Sequence, residues 1–152
     1  MEKPPIEKPR SEKITGAGAH ARRDPVLLLQ NIPFAGFLGV RLELAGDELT
    51  GHLPFSPHLI GNPMLPALHG GVIGAFMEIT AMAQLGWHAN FEHMPKPIDV
   101  TVQYLRSGKP VDTYARAVVN RVGRTVANVE VSAWQESRHH PIATLQAHFL
   151  TG

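Results

Sequence analysis

Residues 68–85 read LHGGVIGAFMEITAMAQL. From Val72 to Leu85 only Glu78, Thr80 and Gln84 are polar, so this stretch predicts a long helix, from about Gly70 to Trp87, that hides most of its surface. Val72, Phe76, Ile79 and Ala83 recur at the 3.6-residue period and form a stripe suited to packing on a sheet. A second stripe holds Gly71, Gly74, Ala75, Glu78 and Met82, where small side chains leave room beside the carboxylate for a ligand or another backbone. An ionised carboxylate buried alone is costly unless it is paired or its pKa shifts. A fold that keeps Glu78 there has a use for it. Thr80 and Gln84, four residues apart, are expected to bond to each other or to a partner subunit.

The flanking sequence alternates. Upstream, Asp24-Pro25 caps a short helix through Asn31 that Pro33 ends. Val40, Leu42 and Leu44 face one way against Arg41 and Glu43, Gly46-Asp47 turns the chain, and Leu49, Gly51, Leu53 and Phe55 continue as a second strand. Residues 56–68 carry three prolines, a glycine and an asparagine and form a structured loop into the helix. Downstream come four strand-like runs: residues 98–104, 112–122, 125–136 and 141–150. Helix, two strands, one long helix and four strands make an α+β fold in which a mostly antiparallel sheet covers the long helix. Residues 1–23, rich in Pro, Lys, Glu, Gly and His, read as a flexible arm, leaving 24–152 as one domain.

Composition narrows the chemistry. The chain has 152 residues, a formal net charge of +1 and no cysteine, which removes disulfides, thiolate catalysis and Cys-ligated zinc and fits a reducing, cytoplasmic setting. Lys and Arg are scattered, so no nucleic-acid footprint is visible. No apolar run reaches the roughly 18 residues of a membrane span, and residues 1–13 lack the apolar core of a secretory signal. Neither nucleic acid nor membrane is an expected partner. His139-His140, followed by a proline, reads as a turn rather than a metal pair, and no metal is expected.

Glycines at a helix start leave backbone N–H groups exposed, and the helix dipole adds positive potential that can hold a developing oxyanion. A carboxylate in apolar surroundings can act as nucleophile or as general base toward water. Both halves of an acyl-transfer site therefore lie in one helix. Gly70 and Glu78, however, are separated by about 12 Å of helix rise at 1.5 Å per residue. One helix cannot bring both to a single carbonyl carbon. A second copy lying antiparallel alongside can, which implies at least a dimer with sites shared between subunits.

The pattern Asn62, His69-Gly70-Gly71, Glu78, then Asp99 through the Tyr104-Leu105-Arg106 strand end and Val122-Gly123-Arg124, resembles the hotdog-fold acyl-CoA thioesterases. It is most similar to the phenylacetate-pathway and 4-hydroxybenzoyl-CoA branch, over roughly residues 35–150. The resemblance implies an antiparallel sheet wrapped around one long central helix, and subunits joined sheet to sheet as a homodimer or homotetramer. It implies that Gly71, alone or with Gly70, polarises the thioester carbonyl and that Glu78 of the neighbouring subunit is nucleophile or general base. Asn62 then positions water or carbonyl, and His69 anchors the loop. Two departures from the family pattern stand out: Pro66 occupies a common glycine position, and Asn62 lies one residue further upstream than usual. Coenzyme A, part of the substrate rather than a cofactor, needs cations for its phosphates, and Arg106, Lys109 and Arg124 at strand ends or turns are the candidates. Phe76, Met77, Met82 and Trp87 suggest an apolar cavity for the acyl group. Two other readings compete. One is an acyl-thioester hydratase or dehydratase of the same fold pairing His58 with Glu78; the other is an acyl-CoA-binding protein without turnover.

Overall fold

The computed structural model describes residues 24–89, 91 and 93–152; the arm expected over 1–23 lies outside the described residues. Two short helices, α1 (Pro25–Gln30) and α2 (Pro33–Leu38), open the chain. Pro33 does not merely end α1; it begins α2, because a proline at the first helical position gives up no hydrogen bond. Gly39 then closes α2 at φ 83°, the left-handed conformation that only glycine adopts without strain.

Strands β1 (Arg41–Ala45) and β2 (Glu48–Leu53) form a hairpin about Gly46, at φ 63°. The proline-bearing segment 56–68 is more regular than its sequence suggests. It contains a 3-10 turn (Pro57–Leu59) and a small antiparallel pair, β3 (Ile60–Asn62) with β4 (Ala67–Leu68). The long helix α3 (Gly70–His88) follows, then β5 (Lys96–Tyr104), β6 (Thr113–Val122), β7 (Val126–Trp134) and β8 (Ala143–Leu150). The six long strands build one antiparallel sheet in the order β1-β2-β6-β7-β8-β5. Its concave face wraps α3, which packs on β2, β6, β7 and β8. This is the α+β hotdog arrangement expected from the sequence.

Alternation explains the wrapping. In β7 Ala127, Val129, Val131 and Ala133 are buried, and in β8 Ala143, Leu145, Ala147 and Phe149, all turned toward the helix. Against them α3 buries Ile73, Phe76, Met77, Ile79, Ala81 and Leu85. Val72, expected in this stripe, is only partly buried; Ile73 and Met77 take its place.

The polar residues of α3 work inside the protomer. Thr80 donates its hydroxyl back to the Phe76 carbonyl at 2.8 Å, and Gln84 reaches the β1–β2 turn. Its Oε1 accepts from the buried Leu49 amide at 3.0 Å, and its Nε2 donates to the Asp47 carbonyl at 3.1 Å. They do not bond to each other. Gly51 completes this contact, since a Cβ there would stand 2.5 Å from Thr80 Oγ1 and 3.1 Å from the Phe76 ring. Gln84→Leu leaves the Leu49 amide unsatisfied in the core and is expected to lower stability by roughly 1–3 kcal/mol, measured as a fall in the urea midpoint at unchanged m-value.

Candidate active site

Three anchors hold the start of α3. The Leu68 amide donates to the Gly108 carbonyl and the His69 amide to the Leu59 carbonyl, both at 2.9 Å. Gly61 permits the second, because a Cβ there would lie 2.7 Å from His69 Cα. The third is the cap: His69 sits at the N-cap with extended backbone, and its Nδ1 accepts from the Gly71 amide at 2.9 Å. A neutral imidazole that accepts at Nδ1 carries its proton on Nε2. His69 is thus an anchor, as the sequence suggested.

That cap changes which amide is free. The Gly71 N–H is committed to His69, and the Val72 and Ile73 amides turn to the His69 carbonyl at 3.0 and 3.2 Å. The Gly70 N–H has no acceptor among the described residues. Of the two glycines, Gly70 presents the unsatisfied donor at the positive end of the helix dipole. Local spacing could not reveal this, because it depends on the rotamer of His69.

Glu78 lies two turns further along, half-buried, with no hydrogen bond or ion pair among the described residues. Burial alone pushes its carboxyl above the usual carboxylate range. The contrast is Asp112. There the Phe55 amide, and then the His52 ring, hold the carboxyl below its usual range, with both contacts at 2.8 Å. Asp112 is a satisfied structural acid and Glu78 an unsatisfied one. Gly71, Gly74, Ala75, Glu78 and Met82 all retain solvent exposure, so this stripe is the arc of the helix that the sheet leaves open. Phe76 and Met77 belong instead to the core, fully buried, which removes them from any acyl cavity.

The remaining candidates scatter. Asn62 ends β3 on the exposed hairpin beside His69, its Oδ1 accepting from the Met64 amide at 3.0 Å. Lys109 lies beside Gln135, and its ammonium pairs with Glu136 at 3.3 Å. Arg106 follows β5, held through its amide on the Ile142 carbonyl. Arg124 stands in the β6–β7 turn, lining a cleft of about 360 Å³ with Arg121, Asn128 and His148. Strand β7 separates that turn from Lys109, about 26 Å at 3.3 Å per residue. Arg124 thus stands at the opposite end of β7 from Arg106 and Lys109.

His58 is fully engaged, with Nδ1 on the Ser56 hydroxyl at 2.8 Å and Nε2 on the Phe37 carbonyl at 3.0 Å. His139 and His140 lie in the expected turn, the His140 amide donating to the Ser137 carbonyl. No metal-binding cluster of His, Asp or Glu exists among the described residues. No helix there is long and apolar enough to cross a membrane. Sequence reading missed Tyr104 as a site residue. Its hydroxyl donates to the Gly70 carbonyl at 2.7 Å, a contact spanning 34 residues that no periodicity announces.

The sequence model of the thioesterase superfamily matches residues 65–142, a span holding His69, Gly70, Gly71 and Glu78. A solved structure from Chromobacterium violaceum is 34% identical, with a TM-score of 0.70 over 88% of this chain and 95% of its own. A phenylacetic acid degradation-related protein of Ralstonia eutropha shares the fold at 20% identity and TM-score 0.71, over 82% of this chain and 96% of its own. So does a Bacillus halodurans protein solved with CoA, at 16% identity and TM-score 0.72, over 91% and 97%. No protein of curated function matches the chain.

The Glu78 shift has a measurable sign. A carboxyl whose folded pKa exceeds its unfolded pKa binds more protons when folded, so stability falls as pH rises from the unfolded value through the folded one. Glu78→Gln is therefore expected to unfold at higher temperature than the wild type at pH 7. The difference should vanish at pH values below the ordinary carboxylate range, as followed by thermal melts across pH.

Proposed function

Because this chain belongs to the thioesterase superfamily, we propose that it hydrolyses an acyl-CoA thioester to the free acid and coenzyme A. The observation that carries this reading is the pairing on one helix of a Gly70 amide and a half-buried Glu78 carboxylate of raised pKa, both without a bonding partner among the described residues. Fixed donors at the place where negative charge develops lower the barrier to acyl transfer, and a carboxylate lifted toward neutral pH is a better base toward water.

In this mechanism the thioester carbonyl oxygen points at the helix start and accepts from Gly70. Gly71 acts through the same turn, with its own amide held by His69. In one route Glu78 removes a proton from a water whose oxygen adds to the carbonyl carbon, and collapse of the tetrahedral intermediate breaks the C–S bond with the proton passing to the departing thiolate. In the other, Glu78 attacks the carbonyl carbon, expels the thiolate and leaves a mixed anhydride that water then hydrolyses to the free acid and the restored carboxylate. The separation along α3 makes the carboxylate come from a second subunit. Strand β5 is a sheet edge carrying the exposed apolar residues Ile98 and Val100, with exposed Leu105 just beyond its end. Two copies joined there by a two-fold axis form a continuous sheet with antiparallel helices on one side, each Glu78 approaching the mate's Gly70. Asn62, on the hairpin beside His69, orients the water or the carbonyl. Arg106, Lys109 and Arg124 are the cations for the phosphates, drawn from more than one subunit given their separation. Coenzyme A enters as substrate, no further cofactor is invoked, and the setting is cytoplasmic.

The engaged ring of His58 argues against the dehydratase reading, which needs that imidazole free to exchange a proton. Glu78→Gln and Glu78→Ala are each expected to cut thiol release by 10² or more, the range of a lost general base, while sedimentation shows the wild-type assembly. His58→Ala is expected to hydrolyse thioesters at near wild-type rate. Full turnover by the Glu78 variants, followed with a thiol reagent across aryl-, short- and long-chain acyl-CoAs, would end the proposal.

A further inference from the structure

The peptide unit between Gly70 and Gly71 is held at both ends. Its carbonyl oxygen accepts from the Tyr104 hydroxyl at 2.7 Å, and its N–H donates to His69 Nδ1 at 2.9 Å. That carbonyl belongs to the first residue of α3, so the phenol takes up a second lone pair beside the helical bond. Two successive glycines are the most permissive backbone the chain could place here. Without external restraint this peptide would rock, and the adjoining His69–Gly70 peptide, which bears the unsatisfied N–H, would rock with it.

Tyr104 is well placed for restraint. It is the last residue of edge strand β5, and its ring lies along the small-residue face of α3. A Cβ at Gly70 would meet the ring at 3.4 Å, and one at Gly74 the hydroxyl at 3.5 Å. Tyr104 is 54% exposed in the single protomer, so burial in the protomer's core does not explain why it folds onto the helix. The hydrogen bond does.

We propose that Tyr104 is a positioning residue for thioester hydrolysis: with His69 it locks the Gly70–Gly71 peptide, and so keeps the Gly70 amide aimed at the reacting carbonyl. The inference rests on the thioesterase reading above. Oxyanion donors work because they need no reorganisation as charge develops, and misplacement of about 1 Å can cost 10²-fold in rate. The role is expressed in the transition state, where the bond to the oxyanion is strongest, and little in substrate binding.

The test is Tyr104→Phe in the full-length chain, which keeps the ring and deletes one oxygen. The expected result is a kcat lowered about 10-fold or more, a KM changed less than twofold, and an unfolding midpoint and sedimentation like the wild type. Because both side chains hold one peptide, Tyr104→Phe should do little further harm in a His69→Ala background, whereas independent roles would multiply. An unchanged kcat in Tyr104→Phe, a loss confined to KM, or factors that multiply overturns the inference while leaving thioesterase activity established by the wild type. A wild type that releases no thiol from any acyl-CoA overturns both.

Discussion

The site depends on how α3 is turned about its own axis, and one contact sets that rotation. Phe76 and Thr80 press against β2 at Gly51, where no Cβ could stand. One turn on, Gln84 satisfies both the Leu49 amide and the Asp47 carbonyl. Rotation in either direction would expose the Phe76 ring or strand the buried Leu49 donor. Close packing makes such contacts all-or-none rather than gradual. With that face committed, the arc holding Gly71, Gly74, Ala75, Glu78 and Met82 stays partly open to solvent, bordered at Gly74 by Val102 and Tyr104 of edge strand β5.

The same commitment accounts for a carboxylate in so apolar a helix. Glu78 makes no hydrogen bond or ion pair among the described residues, and its half-burial there opposes folding at neutral pH. The apolar contacts of the opposite face with β6, β7 and β8 offset that penalty. Asp112 shows what the chain does with an acid meant for structure: two donors on one carboxylate, at the junction of β2 and β6. Perturbed carboxyls concentrate at functional sites, and of the two with shifted pKa among the described residues, only Glu78 owes its shift to burial without a compensating bond.

Much was legible because it is local. The polar exceptions in residues 72–85, the paired glycines after His69 and the period-two runs of β7 and β8 each state an element within a few residues. The strands begin and end within about two residues of expectation, and α3 within one. The hairpin of β3 and β4 was not legible, because its strands have three and two residues, too short for alternation to register. Nor was α2, whose proline reads equally as a stop or a start.

The site divides the same way. Sequence by itself determined that one helix carries a glycine start and an acid eight residues on, some 12 Å apart because helix rise per residue is a constant, about 1.5 Å. Only the tertiary structure decided which amides at the helix start are taken up, which side chain reaches the Gly70 carbonyl and how far apart the candidate cations stand. The Gly71 amide donates to His69 through a side-chain rotamer, Tyr104 reaches Gly70 across 34 positions, and β7 holds Lys109 and Arg124 at its opposite ends. Such hydrogen bonds and separations arise between segments that share no period, and exist only once the sheet has closed around the helix.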